Sequence, residues 1–181
     1  GMLTKEEDMV KTIFTSSNHQ NILCFSNKGR VYNLKVYQLP EAALRGRGKH
    51  FANLVKLEEK EKIVSVLPVS EFNDGEFVVS VTAKGYIKKT DLMAYSNVRS
   101  SGIIGLKLDE EDELVGCSII KSDEDVLIAT SLGKAIRFAQ SDIRSMGRAS
   151  RGVTGIRFGE DGDKVIGFCV IAPDENSTIL S

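Results

Sequence analysis

Short apolar runs rich in Val and Ile alternate along this chain with small-polar and charged clusters. The runs include Ile63-Val64-Ser65-Val66-Leu67, Phe77 to Val81, Val126 to Ala129 and Val165 to Ile171, and clusters such as Asn73-Asp74-Gly75-Glu76 break them. Runs this short, separated by turn signals every eight to twelve residues or so, predict the hairpins of an all-β array. Helical turns are expected only briefly, for example around residues 140–145.

The pattern is written three times. A hydrophobic strand, a small-polar turn with Gly and a second strand carrying bases recur as Ile22-Leu23-Cys24-Phe25-Ser26-Asn27-Lys28-Gly29-Arg30-Val31-Tyr32, as Val78-Val79-Ser80-Val81-Thr82-Ala83-Lys84-Gly85-Tyr86-Ile87-Lys88, and as Leu127-Ile128-Ala129-Thr130-Ser131-Leu132-Gly133-Lys134-Ala135-Ile136-Arg137. The turn glycines lie 56 and then 48 residues apart. A basic stretch ending in Gly keeps the same period: Arg45-Gly46-Arg47-Gly48, Arg99-Ser100-Ser101-Gly102, Arg148-Ala149-Ser150-Arg151-Gly152. Two marks repeating in step predict a modular array. In the second unit the expected strands are residues 51–57, 63–70, 77–82 and 86–92. Four strands per repeat of about fifty residues is the arithmetic of a propeller blade. Units are expected at 1–44 (incomplete), 45–97, 98–147 and 148–181 (incomplete). Lys5 to Phe14 matches the middle of a unit (compare Leu57 to Val66), and Thr178 to Ser181 falls where a further hairpin should start. The expectation is an arc of three to three and a half blades taken from a longer array, each unit resting mainly on its neighbours.

Composition adds limits. At 181 residues, with 41% apolar and 27% charged residues, the chain has the make-up of a soluble protein. No apolar run is long enough to span a bilayer, no signal peptide opens the chain, and no membrane partner is expected. The three cysteines, Cys24, Cys117 and Cys169, sit inside apolar runs without CxxC spacing and are expected to be buried free thiols in a reducing compartment. Only His19 and His50 could join them, so no metal site is expected.

Charge changes the picture more. The net charge is −1, yet the sign alternates with the repeat. From Lys28 to Lys49 six bases meet one acid (6 − 1 = +5), from Lys84 to Lys107 five meet one (+4), and from Lys134 to Arg157 six meet one (+5). Between them lie acidic stretches: Val55 to Glu76 at −3, Leu108 to Asp125 at −7, Phe158 to Glu175 at −4. Folding is expected to gather each sign on its own region. A single basic run in a turn is ordinarily a solvated surface that keeps a sheet edge from pairing. Three in register predict a stripe from blade to blade, the footprint of a protein that tracks a phosphate backbone. The Arg-Gly stretches read both as turns needing positive φ and as places where a backbone N–H can approach a phosphate.

No catalytic set is legible. There is no GxxxxGK[ST] loop for a nucleotide, no Ser–His–Asp candidate set and no cofactor motif. The run Asp109-Glu110-Glu111-Asp112-Glu113 lacks the spacing of a calcium loop and reads as a solvated hairpin tip. Tyr32, Tyr37, Tyr86 and Tyr95 read as strand residues.

The stretch from Ile22 through Tyr32, continued by Asn33-Leu34-Lys35-Val36-Tyr37-Gln38-Leu39-Pro40-Glu41-Ala42, resembles the C-terminal domain family of the DNA gyrase A subunit. So do Asn53-Leu54-Val55-Lys56-Leu57-Glu58-Glu59, Arg144-Ser145-Met146-Gly147 and Gly152-Val153-Thr154-Gly155-Ile156-Arg157, and the likeness runs from Lys5 to Ser181. The tail of the topoisomerase IV A subunit is the near alternative. The resemblance implies a β-pinwheel, a propeller-like disc of four-stranded antiparallel blades in which neighbours exchange a strand. It implies a rim that wraps double-stranded DNA, a parent enzyme that supercoils DNA with ATP, and, as partners there, the gyrase B subunit with another copy of the A subunit. It also implies a bacterial cytoplasmic, nucleoid-associated setting. The family's hallmark Gln-Arg-Arg-Gly-Gly-Lys-Gly belongs to a first blade; Arg45-Gly46-Arg47-Gly48-Lys49 stands in the corresponding place one blade later as a degenerate version. The family's DNA-cleaving tyrosine lies in a region this chain does not include, so the chain itself is expected to be non-catalytic.

The expected phosphate contacts flank the Gly turns and the Arg-Gly stretches: Lys28, Arg30, Lys35, Arg45, Arg47, Lys49, Lys84, Lys88, Lys89, Arg99, Lys134, Arg137, Arg144, Arg148 and Arg151. The reading from another class is a propeller used as a protein-interaction platform. It predicts partner binding without salt-sensitive DNA binding.

Overall fold

The computed structural model describes residues 21–35, 37 and 54–173. The expected matches at residues 5–14, 45–49 and 178–181 lie outside the described residues.

Among the described residues eleven strands form three antiparallel sheets: β1 (Asn21–Ser26), β2 (Arg30–Lys35), β3 (Ile63–Val69), β4 (Phe77–Thr82), β5 (Tyr86–Asp91), β6 (Ile103–Ile104), β7 (Leu114–Ile120), β8 (Asp125–Thr130), β9 (Ala135–Ala139), β10 (Val153–Thr154) and β11 (Val165–Ile171). The spatial orders are β3-β1-β2-β6, β10-β5-β4-β7 and β11-β8-β9. A single 3₁₀ turn, Leu92–Tyr95, follows β5, and another, Gln140–Asp142, follows β9.

Each of the three hairpins is closed in the same way. Gly29, Gly85 and Gly133 sit at φ +77, +89 and +84, a region that penalises any side chain. Their amides donate to the carbonyls of Ser26, Thr82 and Thr130 at 3.0, 3.0 and 3.1 Å. The hydroxyls of the same Ser and Thr accept from the amides of Arg30, Tyr86 and Lys134. The hydroxyl and the glycine are thus the two chemical requirements of the turn. They also set an equivalence between copies: Tyr32, Lys88 and Ile136 occupy one position, and Asn33, Lys89 and Arg137 the next.

Period-2 alternation sends apolar side chains to both faces of the first two sheets. In β1, Leu23 and Phe25 face the second sheet, where they meet Val78, Leu92, Tyr95, Leu114 and Cys117. Ile22 and Cys24 point the other way, with Tyr32, Leu34, Val55 and Ile63. In β4, Val79 and Val81 join Ile87, Ile120, Val126, Ile128 and Val165 against the third sheet. Sheets packed face to face in this way are successive blades. Strand β3 packs on β7, and β7 on β11, so these three line the inside of the arc, and the opposite sheet edges lie on its outside. Pro68 falls on β3, a sheet edge, where its missing N–H breaks no ladder.

The route of the chain corrects the expected units. The segments 63–69, 77–82 and 86–91 do not share a sheet: β3 pairs with β1, while β4 pairs with β5 and β7. After the second and third hairpins the chain leaves its own sheet, adds two residues to the outer edge of the preceding sheet, and returns as the inner strand of its own. β6 thus pairs with β2, and β10 with β5. The sheets take their own hairpin and inner strand from 21–69, 77–120 and 125–171, out of phase with the expected divisions at 45, 98 and 148. Cys24 and Cys117 are buried as expected; Cys169 is exposed, because the face of β11 that carries it is not covered by a further described sheet.

Candidate nucleic-acid interface

The two repeating marks turn out to be halves of one joint. The second and third Gly-ending basic stretches belong to the segments that dock on the Gly turns of the preceding sheets. Gly105 and Leu106 donate their amides to the carbonyl of Gly29 at 2.8 and 3.0 Å; Gly155 and Ile156 do the same to Gly85 at 2.8 and 3.3 Å. Glycine is required at the start of the docked strand. A Cβ on Gly152, at φ +100, would lie 2.4 Å from the Ile87 carbonyl oxygen, and one on Gly102 would lie 2.4 Å from the Tyr32 ring. We call the docked segments, 99–107 and 148–157, the arms.

The arms carry bases on the outside of the arc. Arg99 precedes β6 and Lys107 follows it; Arg148 and Arg151 precede β10 and Arg157 follows it. Arg99, Lys107, Arg151 and Arg157 are exposed, as is Arg144 just ahead of the second arm. Lys107 and Arg157 were not among the expected contacts. Their signal was available, since Gly105-Leu106-Lys107 and Gly155-Ile156-Arg157 repeat in kind after the docked strand.

Neighbouring arms are bonded to one another. The Lys107 amide donates to the Ser150 carbonyl at 3.1 Å, and the Arg148 guanidinium donates to the Ile104 carbonyl. Arg151 lies over the Tyr86 ring, 4.4 Å from its centroid, and pairs with Asp109 at 3.1 Å. The described part of the outer edge is therefore a linked row of basic segments.

The remaining expected contacts divide. Lys134 is exposed beside β9, whose outer edge bears no arm among the described residues. Arg137 is on β9 and pairs with Asp125 at 2.8 Å. Lys35 donates to the Asn21 side chain. Lys28 and Arg30 meet Glu58 at 3.6 and 2.9 Å, and Lys84 donates to the Glu110 carbonyl. Arg45, Arg47 and Lys49 lie outside the described residues.

Lys88 and Lys89 are corrections. Both are buried, at 0% and 7% exposure, and cannot reach a phosphate. The Lys88 ammonium donates to the carbonyls of Gly105 at 2.7 Å and of Arg148. Burial pushes its pKa down to about 8. The Lys89 ammonium donates to the carbonyl and side-chain oxygens of Gln140 and lies 4.8 Å from the centre of the Phe77 ring; burial lowers its pKa as well.

Full segregation of charge is a second correction. The acidic tips close the Gly turns of their own sheets, where the amide-rich turn needs acceptors. Asp112 accepts from the Lys84 amide at 2.9 Å, and Asp163 from the Leu132 amide at 3.1 Å. In the first sheet the direction is partly reversed: the Asn27 amide donates to the Lys62 carbonyl, and the Lys62 amide donates to the Asn27 side-chain oxygen, both at 2.8 Å. Glu58 and Asp109 therefore sit against bases rather than on a separate face. Glu61, also in a tip, is buried, which raises its pKa; the Glu58 amide, Ser26 and the Tyr32 hydroxyl outweigh that and hold it lowered.

Three antiparallel sheets stacked as blades, with a strand lent backwards from the second unit to the first and from the third to the second, define a β-pinwheel. The family described as the DNA gyrase C-terminal domain, beta-propeller, matches residues 20–70, 73–121 and 124–170, in phase with the observed sheets, and the chain belongs to it. It is 48% identical over 154 residues to the DNA gyrase A subunit of Clostridium acetobutylicum, covering 85% of this chain and 19% of that protein. It is 43% identical over 177 residues to the Escherichia coli K12 protein of the same name, covering 98% and 20%. The chain thus spans about a fifth of the length of these relatives. Among solved structures, the C-terminal domain of DNA topoisomerase IV superposes with TM-score 0.78 at 27% identity, over 86% of this chain and 48% of that one. The DNA gyrase A C-terminal domain superposes with TM-score 0.67 at 23% identity, over 84% and 48%, a likeness of fold.

Among the described residues no group of three or more potential ligands could hold a metal ion, and no helix is long and apolar enough to cross a membrane.

Proposed function

We propose that this chain binds duplex DNA without regard to sequence and bends it along the outside of the arc, as part of a gyrase A-type tail. One observation carries the reading: consecutive basic arms are laid edge to edge on the outer side of the array and bonded to each other. Lys and Arg spaced along a rigid curved edge neutralise phosphates, displace counterions and favour a bent duplex, and no element among the described residues is shaped to read base edges. In the parent enzyme, together with the B subunit and another copy of the A subunit, such bending would present a DNA segment for ATP-driven strand passage and negative supercoiling in the bacterial cytoplasm. The chemistry would belong to other parts of that protein, and this segment would contribute binding alone.

The relatives named as gyrase A subunits, at 43% and 48% identity, favour gyrase over topoisomerase IV. The test is an anisotropy titration of a duplex of about 30 base pairs at several salt concentrations. With about six phosphates neutralised, log K against log salt should slope near −5, roughly a thousandfold loss from 50 to 200 mM. A flat response would remove the DNA reading and leave the protein-interaction platform.

A further inference from the structure

Lys88 stands where the neighbouring copies carry Tyr32 and Ile136, positions that suit an apolar or half-apolar side chain. An ammonium there needs a reason beyond packing. Its two partners are backbone carbonyls of two different arms: Gly105 belongs to the arm docked on the first sheet, Arg148 to the arm docked on the second. The Gly105 carbonyl also accepts from the Tyr95 hydroxyl at 3.3 Å, so its place relative to the core is fixed independently. Lys88 is 0% exposed and makes no ion pair among the described residues. A buried cation held by carbonyls of two segments joins those segments, because releasing either one leaves the charge under-solvated.

We propose that Lys88 is a positioning residue for the nucleic-acid interface: it locks the two consecutive arms in one mutual setting, so that a single duplex meets the bases of both at once. The proposal rests on the DNA reading above. The geometry supports it twice more on the exposed side, where the Lys107 amide reaches Ser150 and the Arg148 guanidinium reaches Ile104. Lys88 is the one link of the three that lies beneath the surface and carries a side-chain charge that cannot touch DNA. Without it the two arms keep their bases but hold them in a looser relation. A ligand spanning both arms then loses the advantage of simultaneous engagement, while a ligand on one arm loses nothing.

The experiment compares two duplexes on the full chain and on Lys88→Met, which keeps the apolar stem and removes the ammonium. One is a hairpin duplex of about six base pairs, about 20 Å long and suited to one arm; the other is about thirty base pairs long. The expected result is an affinity for the long duplex about tenfold weaker in the variant, with a shallower salt slope, and an affinity for the short duplex within about twofold of the parent. Equal losses on both duplexes, as a merely structural role would give, or no loss on either, overturns the proposal. If Lys88→Met does not fold, the same ratio is measured for Arg148→Met against Arg144→Met, both rim arginines removing one charge, only the first of which bonds the other arm. The proposal expects the long-to-short ratio to fall more for Arg148→Met; equal ratios overturn it. A parent chain that binds neither duplex defeats the DNA reading itself, a result distinct from a parent that binds while its variants match it.

Discussion

The outer edges of the second and third sheets start from the same hairpin and end differently. At the second, Gly155 and Ile156 bond to the Gly85 carbonyl, a Cβ on Gly85 would meet Ile156 at 2.9 Å, and Ile87 is 2% exposed. At the third, nothing among the described residues lies within 4 Å of the corresponding position on Gly133, Ala135 is exposed, and Ile136 is 38% exposed. The hydroxyl-glycine turn forms in both, so the turn is local. The closed core beneath the strand after it is not local: it is supplied by a segment about seventy residues further along the chain. The difference teaches that a blade is completed by its successor, and that the basic arm is at once the lid on the core and the carrier of the phosphate-binding groups.

The most damaging test of that comparison is to trim the strand after each turn. Ile87→Ala should cost about 2–5 kcal/mol, because the arm seals the side chain into the core. Ile136→Ala should cost about 1 kcal/mol or less, since its side chain is already part-solvated. Urea unfolding of the two variants measures both. Equal losses would mean that the arm does not seal the edge.

Next in size is the glycine at the joint. Gly152→Ala sets a Cβ 2.4 Å from the Ile87 carbonyl oxygen and 3.0 Å from the Lys88 Cβ, at φ +100. Backbone cannot yield to it, so the arm should lift, with a loss of at least about 2 kcal/mol and weaker DNA binding. Gly133→Ala is strained by its φ of +84 but enters open space, so it should cost about 1 kcal/mol and leave binding unchanged. A Gly152→Ala protein as stable as Gly133→Ala would show that the arm tolerates displacement.

These contrasts also mark how far the chain can be read in advance. The period, the all-β hairpins and the Gly turns are legible because they depend on neighbours within a dozen residues. The phase of the sheets is not. Docked strands of two residues, Ile103–Ile104 and Val153–Thr154, carry no periodicity, and no local signal says that they pair with a preceding unit. The rim is half legible. Arg99, Arg148 and Arg151 stand out because they recur with glycine, whereas charge alone puts Lys88 and Lys89 on the surface, which is wrong for both. Aligning the copies on the Ser/Thr hydroxyl sets Lys88 beside Tyr32 and Ile136 and marks it as interior. Segregation of charge fails for a related reason: the acidic tips are adjacent to the turns in space though not in sequence, and the turn amides and lysines need their oxygens.

A smaller effect separates the buried base of the second sheet from its aliphatic counterpart in the third. Lys88 titrates near pH 8 in the folded protein and near its ordinary value of 10.5 when unfolded. Below pH 8 both states hold the proton and the burial penalty stands in full. From pH 8 to 10.5 the unfolded chain holds more protons than the folded one, so stability rises with pH. Cys117, in β7 against the same group, is pushed up to about 12, and Tyr95 is also raised. Those groups lower stability only once their unfolded forms ionise, above about pH 9. The other charge facing Lys88 is the Arg148 guanidinium. Between pH 7 and 9 the parent should therefore gain about 1 kcal/mol relative to Lys88→Met, read as the difference between two denaturation series. A difference that does not change with pH would mean that the Lys88 pKa is not depressed.

The smallest expected effect lies on the surface and asks whether an ion pair on a covered edge restrains a base that DNA would use. Arg151 on the second arm is held by Asp109 at 3.1 Å and by the face of Tyr86. Arg137 on the third sheet is held by Asp125 at 2.8 Å. Both pairs are part-exposed, and each contributes little to stability. Asp109→Asn removes a charge that competes with phosphate for Arg151 while the ring still positions the guanidinium. Affinity for a duplex of about 30 base pairs at about 50 mM salt should rise about two- to fivefold, and the salt slope should steepen by about one. Asp125→Asn frees an arginine that has no docked arm beside it among the described residues, so it should change affinity by less than about twofold. If Asp125→Asn strengthens binding as much as Asp109→Asn, then any added positive charge suffices. The covered edge would then have no privileged place in the interface, and the row of arms would matter only as a lid on the core.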